Sequence, residues 1–349
     1  MKLKLFAIFT LSVFLFNTAL IAQNRVRPRA VINTAEIVSL LPASDAVAVI
    51  DVKRFLNTAL PQMLSGNQQM LAEVTRGLDE AKTKTGIDFR QFDIVTAGFT
   101  ATKVKEKEYD FDSVMIARGQ IKAGALIAAA KLASNGKYRE EKVGERTIYI
   151  FDAREVADQN LPQTNGKAAG VIKKTLGGFS KEMAVTALDA GTLAFGSIEK
   201  VKETLAGNSK VGTDVSSLLN KTTSSVMTFA ARVPEGMSVF LPLENDQLGK
   251  DIDSIKYLYG TMDVSGNTTS ISATARTLQA EQAVSLKDTL EGLQMLGKAF
   301  LGNAKGADKK VYARLIENVK FTAKGNDVSM DLAIAQTDMN FLVGLLAKK

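Results

Sequence analysis

The stretch VKFTAKGNDVSMDLAIA (residues 319–335) decides the fold class. Val319, Phe321 and Ala323 fall on one face before Gly325-Asn326, and Val328, Met330, Leu332 and Ile334 fall on one face after it. Strict alternation on both sides of a Gly-Asn turn is the signature of two half-buried antiparallel strands. Parallel strands, buried on both faces, would read as unbroken apolar runs and need a long crossover between them.

The same reading extends upstream. SIKYLYGTMDV and TTSISATAR meet at Ser265-Gly266-Asn267, a tight hairpin signal, and a helix over about 279–302 follows. Along that helix Ala283, Leu286, Leu290, Leu293 and Phe300 form one apolar stripe, which predicts a core-facing surface. SSVMTFAARV (224–233) is a strand, and a partly helical segment spans 234–250. The short apolar runs MSVFLPL (237–243) and FLVGLL (341–346) read as core, each being too short to span a bilayer.

The first half runs in the same order. DAVAVIDV (45–52) is a buried strand, and a helical region ends at Gly86. Strands at 92–103 and 110–119, a helix at 122–134 and a hairpin at 138–151 follow. EMAVTALDAGTLAF (182–195) adds one more hairpin, and 153–180 is the loosest segment, with Pro162 and Gly177-Gly178. The predicted fold is α+β: antiparallel sheets with helices packed on one face, in two strand-helix-strand-strand-helix-strand-strand halves. The matching order suggests an ancient duplication. The expected boundaries are a signal peptide at 1–22, a linker at 23–44, one unit at 45–206 and a second at 224–349.

LLPASDAVAVIDVKRFL, TGIDFRQFDIV and AGTLAFGSIEKVKETL resemble a loose class of exported bacterial α+β proteins of unknown function. The resemblance covers most of residues 40–345 and is one of patterning. It implies a periplasmic or cell-surface setting and brings no catalytic residues with it.

Export is also the reading of the N-terminus. Lys2 and Lys4 precede an apolar run, Leu5–Phe16, that ends before Ala22-Gln23, as in a secretory signal peptide. Leu20 stands where a small residue is usual, and Arg25, Arg27 and Arg29 follow at once, which favours an uncleaved anchor as the alternative. Removing residues 1–22 takes two lysines and no acid, so the net charge of +7 becomes +5. Acids interrupt the bases, as in KVKEKEYD (103–110), so the sequence argues against a nucleic-acid partner. Expected partners are an envelope protein or a small ligand, with no transmembrane segment left after cleavage.

The chain contains no Cys, no His and no Trp. This removes disulfides, a lipid-bearing cysteine, imidazole or thiolate catalysis, and His- or Cys-ligated metal centres. No cofactor and no catalytic residue is expected. Three patterns bear on that expectation.

Ser197-Ile-Glu-Lys200 has the spacing of a Ser-Lys acyltransferase, as does Ser134-Asn-Gly-Lys137. Ile198, Val201 and Leu205 make a stripe closed by Gly207, so Ser197 reads as an N-cap whose hydroxyl bonds the first turn. Lys200, off that stripe, should reach solvent. On that reading Ser197→Ala would cost about 1 kcal/mol and Asp would be tolerated.

Gly292 to Ala299 (GLQMLGKA) falls one residue short of a phosphate loop. Ala299 replaces the Mg²⁺-binding hydroxyl, and the segment lies within a helix, so its glycines read as aids to helix–sheet packing.

The acid pairs Asp110 with Asp112, Asp251 with Asp253, and Glu244 near Asp246 lack the ligand count of a calcium loop and read as solvated strand edges and turns. Low aromatic content, 7%, disfavours a sugar-stacking cleft between carboxylates. The expected function is a non-enzymatic exported envelope protein with a structural, scaffolding or binding role. The alternatives are a carrier of an apolar or anionic ligand and a serine–lysine or carboxylate hydrolase.

Overall fold

A computed structural model describes residues 34–105, 108–152, 182–219, 225–236, 238, 246–302 and 306–348. The signal segment, the 153–180 stretch, the apolar run 237–243 apart from residue 238, and Glu244 lie outside them.

Helix α1 (Thr34–Val38) leads into β1 (Ala46–Asp51). Short helical pieces follow: α2 (Val52–Arg54), a π-helical turn (Phe55–Ala59) and α3 (Leu60–Met63). Next comes α4 (Gln68–Thr85), where Asn67 Oδ1 accepts the Met70 N–H at 3.0 Å and Gly86 closes the helix at φ 72°. Strands β2 (Phe92–Lys105) and β3 (Glu108–Gly119) precede α5 (Ala123–Ala133). The hairpins β4 (Tyr138–Val143)–β5 (Arg146–Asp152) and β6 (Glu182–Asp189)–β7 (Thr192–Gly196) then lead to α6 (Ile198–Ala206) and α7 (Thr213–Leu219). The second half comprises β8 (Met227–Arg232), α8 (Asp246–Asp253), β9 (Ile255–Ser265), β10 (Thr268–Thr277) and α9 (Ala280–Gly302). It closes with α10 (Ala307–Asn318), β11 (Lys320–Lys324), β12 (Asp327–Ala335) and α11 (Gln336–Lys348).

The fold class is the expected one, α+β with antiparallel pairing, but the sheets are a single sheet. Among the described residues its strands, twelve in number, run β11-β12-β10-β9-β8-β1-β2-β3-β7-β6-β5-β4. The two halves meet where β1 and β8 pair antiparallel, with Ala46 opposite Ala231 and Ile50 opposite Met227. Outward from that seam one arm reads β1-β2-β3-β7-β6-β5-β4 and the other β8-β9-β10-β12-β11. Leaving out the β6–β7 hairpin, the strand order is the same in both. Order alone does not establish a duplication.

Helices cover both faces, not one. Val47 and Val49, with Ile94, Ile116, Ile148 and Ile150, pack against Leu41, Val201 of α6 and Val215 and Leu218 of α7. On the opposite face, Ile50, Met262 and Val264 pack with Phe55, Val74, Met339 and Val343 from the α2–α4 region and α11. Ala117 and Leu193 meet Ile127 of α5 on that same face. Strands in the middle of the sheet are apolar on both sides, so each side requires a layer.

Two segments that read as connections belong to the core. Of the expected linker 23–44, residues 34–44 are described, and Ile37 and Leu41 are 1% and 0% exposed. Between the expected units, Val215 is likewise fully buried. α7 and α10 have no counterpart in the sequence reading.

Gly260, in the middle of β9, is required by close approach. A Cβ there would collide with the Ser272 carbonyl oxygen of β10 and stand 3.0 Å from the Phe229 ring of β8. Gly260→Ala is therefore expected to lower stability by about 2 kcal/mol, as overpacking does. A urea-unfolding midpoint equal to that of the parent chain would contradict this register.

Candidate functional site

Ser197 sits at the N-cap position of α6, with φ −60° and ψ 148°, and its carbonyl accepts the Val201 N–H at 3.0 Å. The hydroxyl does not cap the helix. Ser197 Oγ is buried with no hydrogen-bond partner among the described residues. The predicted position is right and the predicted bond is absent.

Lys200 corrects a second expectation. It is 8% exposed, not solvated. Its Nζ donates to Glu203 Oε2 at 2.8 Å and to the Ala43 carbonyl at 3.4 Å. The segment after α1 closes over this side of α6, which the helix's own periodicity does not register. Lys200 is thus directed at Glu203 and Ala43, and no hydrogen bond joins it to Ser197. A lysine base must instead be aimed at its serine. In the other Ser-x-x-Lys pattern, Ser134 Oγ donates to the Lys131 carbonyl at 2.8 Å.

The carboxylates also depart from their reading as solvated acids. Asp251 is 4% exposed and accepts from Gln247 Nε2, Ser285 Oγ and Thr289 Oγ1 at 3.0, 2.9 and 2.6 Å, fastening α8 to α9. Asp253 accepts from the Ser238 N–H and Oγ at 2.9 and 2.6 Å. Asp110 is exposed on β3, as expected, its carboxylate accepting the Phe111 N–H at 3.0 Å, whereas Asp112 is half-buried. Among the described residues no group of three or more acids gathers as a metal site would require.

Two Arg–Asp–Tyr clusters tie the second arm together. Arg232 bridges Asp45 (3.0 Å) and Asp214 (2.6 Å), and Tyr257 donates to Asp214 at 3.1 Å. Arg276 grips both oxygens of Asp327 (2.6 and 2.7 Å), to which Tyr259 also donates at 3.1 Å. Burial pushes the Asp214 carboxyl up, but bonds from Arg232, the Val215 N–H and Tyr257 outweigh it and hold the group below its ordinary value. Burial, together with the Asp327 charge, raises the Tyr259 phenol.

A shallow depression of about 400 Å³ lies between α5 and β5–β6, lined by Ile127, Lys131, Arg146, Tyr149 and Thr186. Both cations there are engaged. Lys131 Nζ bonds Glu140 at 2.8 Å and lies 4.0 Å from the centre of the Tyr149 ring. Arg146 donates to the Ala187 and Leu188 carbonyls, each at 2.7 Å.

The largest departure from the sequence reading is the C-terminal end of α9. Ala283 and Leu286 are buried as expected, but Leu293 and Phe300, on the same stripe, are 44% and 80% exposed. Met295 and Leu296 are 71% and 57% exposed beside them. α9 is about 35 Å long at the usual helical rise. Its first turns lie over β10 and β12, whereas β11 is the last strand of the sheet. The stripe therefore outruns the sheet that would cover it.

α10 braces that end. Gln294 Nε2 donates to the Ile316 and Val319 carbonyls at 2.6 and 2.7 Å. A Cβ on Gly297 would stand 3.2 Å from Ile316, so this glycine serves helix–helix packing, while Gly292 faces open space. The segment lies inside a helix, as expected.

No family model and no curated protein matches the chain. Crystal forms I, III and IV of the Treponema protein TP0453 are similar in structure. Identities are 11%, 10% and 10%, with TM-scores of 0.41, 0.43 and 0.44. Each match covers 88% of this chain and 96%, 96% and 95% of the respective TP0453 chain.

Because the Ser197 hydroxyl is buried without a partner, Ser197→Ala is expected to leave stability unchanged or raise it by up to about 1 kcal/mol. Ser197→Asp, which buries a charge in the same place, should lower it. Urea unfolding measures both, and a loss on Ala substitution would restore the capping bond. A fluorophosphonate probe should not label Ser197; a stoichiometric adduct would make it a nucleophile.

Asp214 sets a pH dependence. A carboxyl with a lowered folded pKa stabilises fully above its unfolded value, about 4, and loses that contribution as pH falls through the folded value. Stability should thus decline on acidification below about pH 4, with Asp214→Asn flattening part of the slope. An unchanged slope in the variant would count against the Arg232–Asp214 bond.

Proposed function

We propose that this is an exported, non-enzymatic envelope protein with a scaffolding or binding role, and that the exposed end of α9 is its docking surface. The observation that carries the reading is the joint exposure of Met295, Leu296 and Phe300 on consecutive turns of one helix. Scattered exposed apolar residues are ordinary, but a contiguous apolar patch on a monomer marks an interaction site. Lys200 and Asp251, the candidates for hydrolytic chemistry, are bonded to Glu203 and to Ser285 and Thr289 within the fold. Export rests on the sequence of residues 1–22.

Fractionation of the host tests both parts. The chain should be found in the envelope with an N-terminus at or near Gln23, and Phe300→Asp should release it to the soluble export fraction. A full-length chain confined to the cytosol would overturn export. A Phe300→Asp chain that stays with the envelope as firmly as its parent would overturn docking through α9.

A further inference from the structure

We propose that the occupant of the α9 surface is an anionic lipid surface, on which the α9–α10 hairpin end lies as a shallow interfacial anchor. The inference rests on the docking role given to this surface above. Leu293, Leu296 and Phe300 repeat at i, i+3 and i+7, and Met295 and Ala299 flank them at i, i+4. The bonds of Gln294 to Ile316 and Val319 set an antiparallel register that places half-exposed Tyr312 abreast of the last turn of α9. The result is a convex apolar end with a tyrosine at its margin, where an amphipathic ring suits a membrane boundary.

Charge selects the occupant. Lys298, Lys309 and Lys310 are exposed around this end, and none has an ion-pair partner among the described residues. The nearby acids are Asp308 and Glu317, both exposed, and Glu291, held by Lys287 at 2.7 Å, so the three lysines face two acids outside that pair. Basic residues beside an apolar helical face are what an anionic lipid headgroup layer attracts. A second copy of the chain would bring the same lysines against each other, and its like charges would repel. No described helix is long and apolar enough to cross a membrane, so the contact is with the surface layer.

The test is co-flotation of the chain, purified as it occurs in the host envelope, with vesicles of phosphatidylglycerol and phosphatidylcholine in equal parts. Pure phosphatidylcholine vesicles serve as the neutral arm. The chain should partition onto the anionic vesicles and not the neutral ones. Phe300→Asp should lower partitioning about tenfold, as should the triple Lys298→Glu, Lys309→Glu, Lys310→Glu variant. Met295→Asp, at another exposed position, provides a second apolar variant should Phe300→Asp fold poorly.

Equal partitioning of parent and apolar variants, equal binding to neutral vesicles, or no binding to anionic vesicles would overturn the proposal. So would a dimer in sedimentation velocity that Phe300→Asp dissociates, which would make a second copy the occupant. If Phe300→Asp frees the chain from the host envelope while the parent ignores anionic vesicles, docking through α9 stands and the lipid assignment falls.

Discussion

Everything in this architecture depends on the pairing of β1 with β8. β1 packs Val47 and Val49 into one layer and Ile50 into the other, so it is a central strand by burial as well as by position. Its ends are fixed by backbone bonds, Arg232 N–H to Asp45 carbonyl at 2.7 Å and Asp51 N–H to Val226 carbonyl at 3.0 Å. The Arg232 side chain then binds Asp45 and Asp214, so the seam, β8 and α7 are held by one guanidinium. Without that ladder, each arm would present the unpaired edge of an apolar six-residue strand, the feature that sheets avoid.

Individual strands and hairpins were legible in the sequence because alternation and turn residues are local signals. Gly86 and Gly207, both with positive φ, end their helices where the pattern placed them. What the sequence left unread is non-local. The Ala46–Ala231 pair joins residues in different halves, and no window around either residue carries it. α1, with five residues, is too short to show periodicity, yet Ile37 and Leu41 supply core. Helices on both faces follow from strands apolar on both sides, a property that only the assembled sheet makes plain.

The site residues divide along the same line. Ser197 was placed correctly because a serine before an apolar stripe is a local pattern, but the orientation of its hydroxyl depends on what surrounds it. Lys200 was misplaced because a helical wheel knows the angle of a residue and not what packs there from elsewhere, in this case Ala43. Phe300 shows the converse. Its stripe is continuous with buried Leu286, and its exposure reflects where the sheet stops rather than anything in α9 itself.

An open sheet of twelve strands still has two outer strands, β4 and β11. β4 reads Tyr-Arg-Glu-Glu-Lys-Val and β11 reads Lys-Phe-Thr-Ala-Lys. Charge on both rims makes an incoming strand costly to seat, since its partners would have to surrender hydration of those groups. In β4 the rim is also mixed in sign, and its acids are paired from the helices, Lys131 of α5 on Glu140 and Lys202 of α6 on Glu141. In a crowded population of this protein, the rims of the described sheet thus make poor templates for chain-to-chain strand addition. Sheet extension of the kind that grows fibrils is opposed at both rims by charged side chains that take no part in the core.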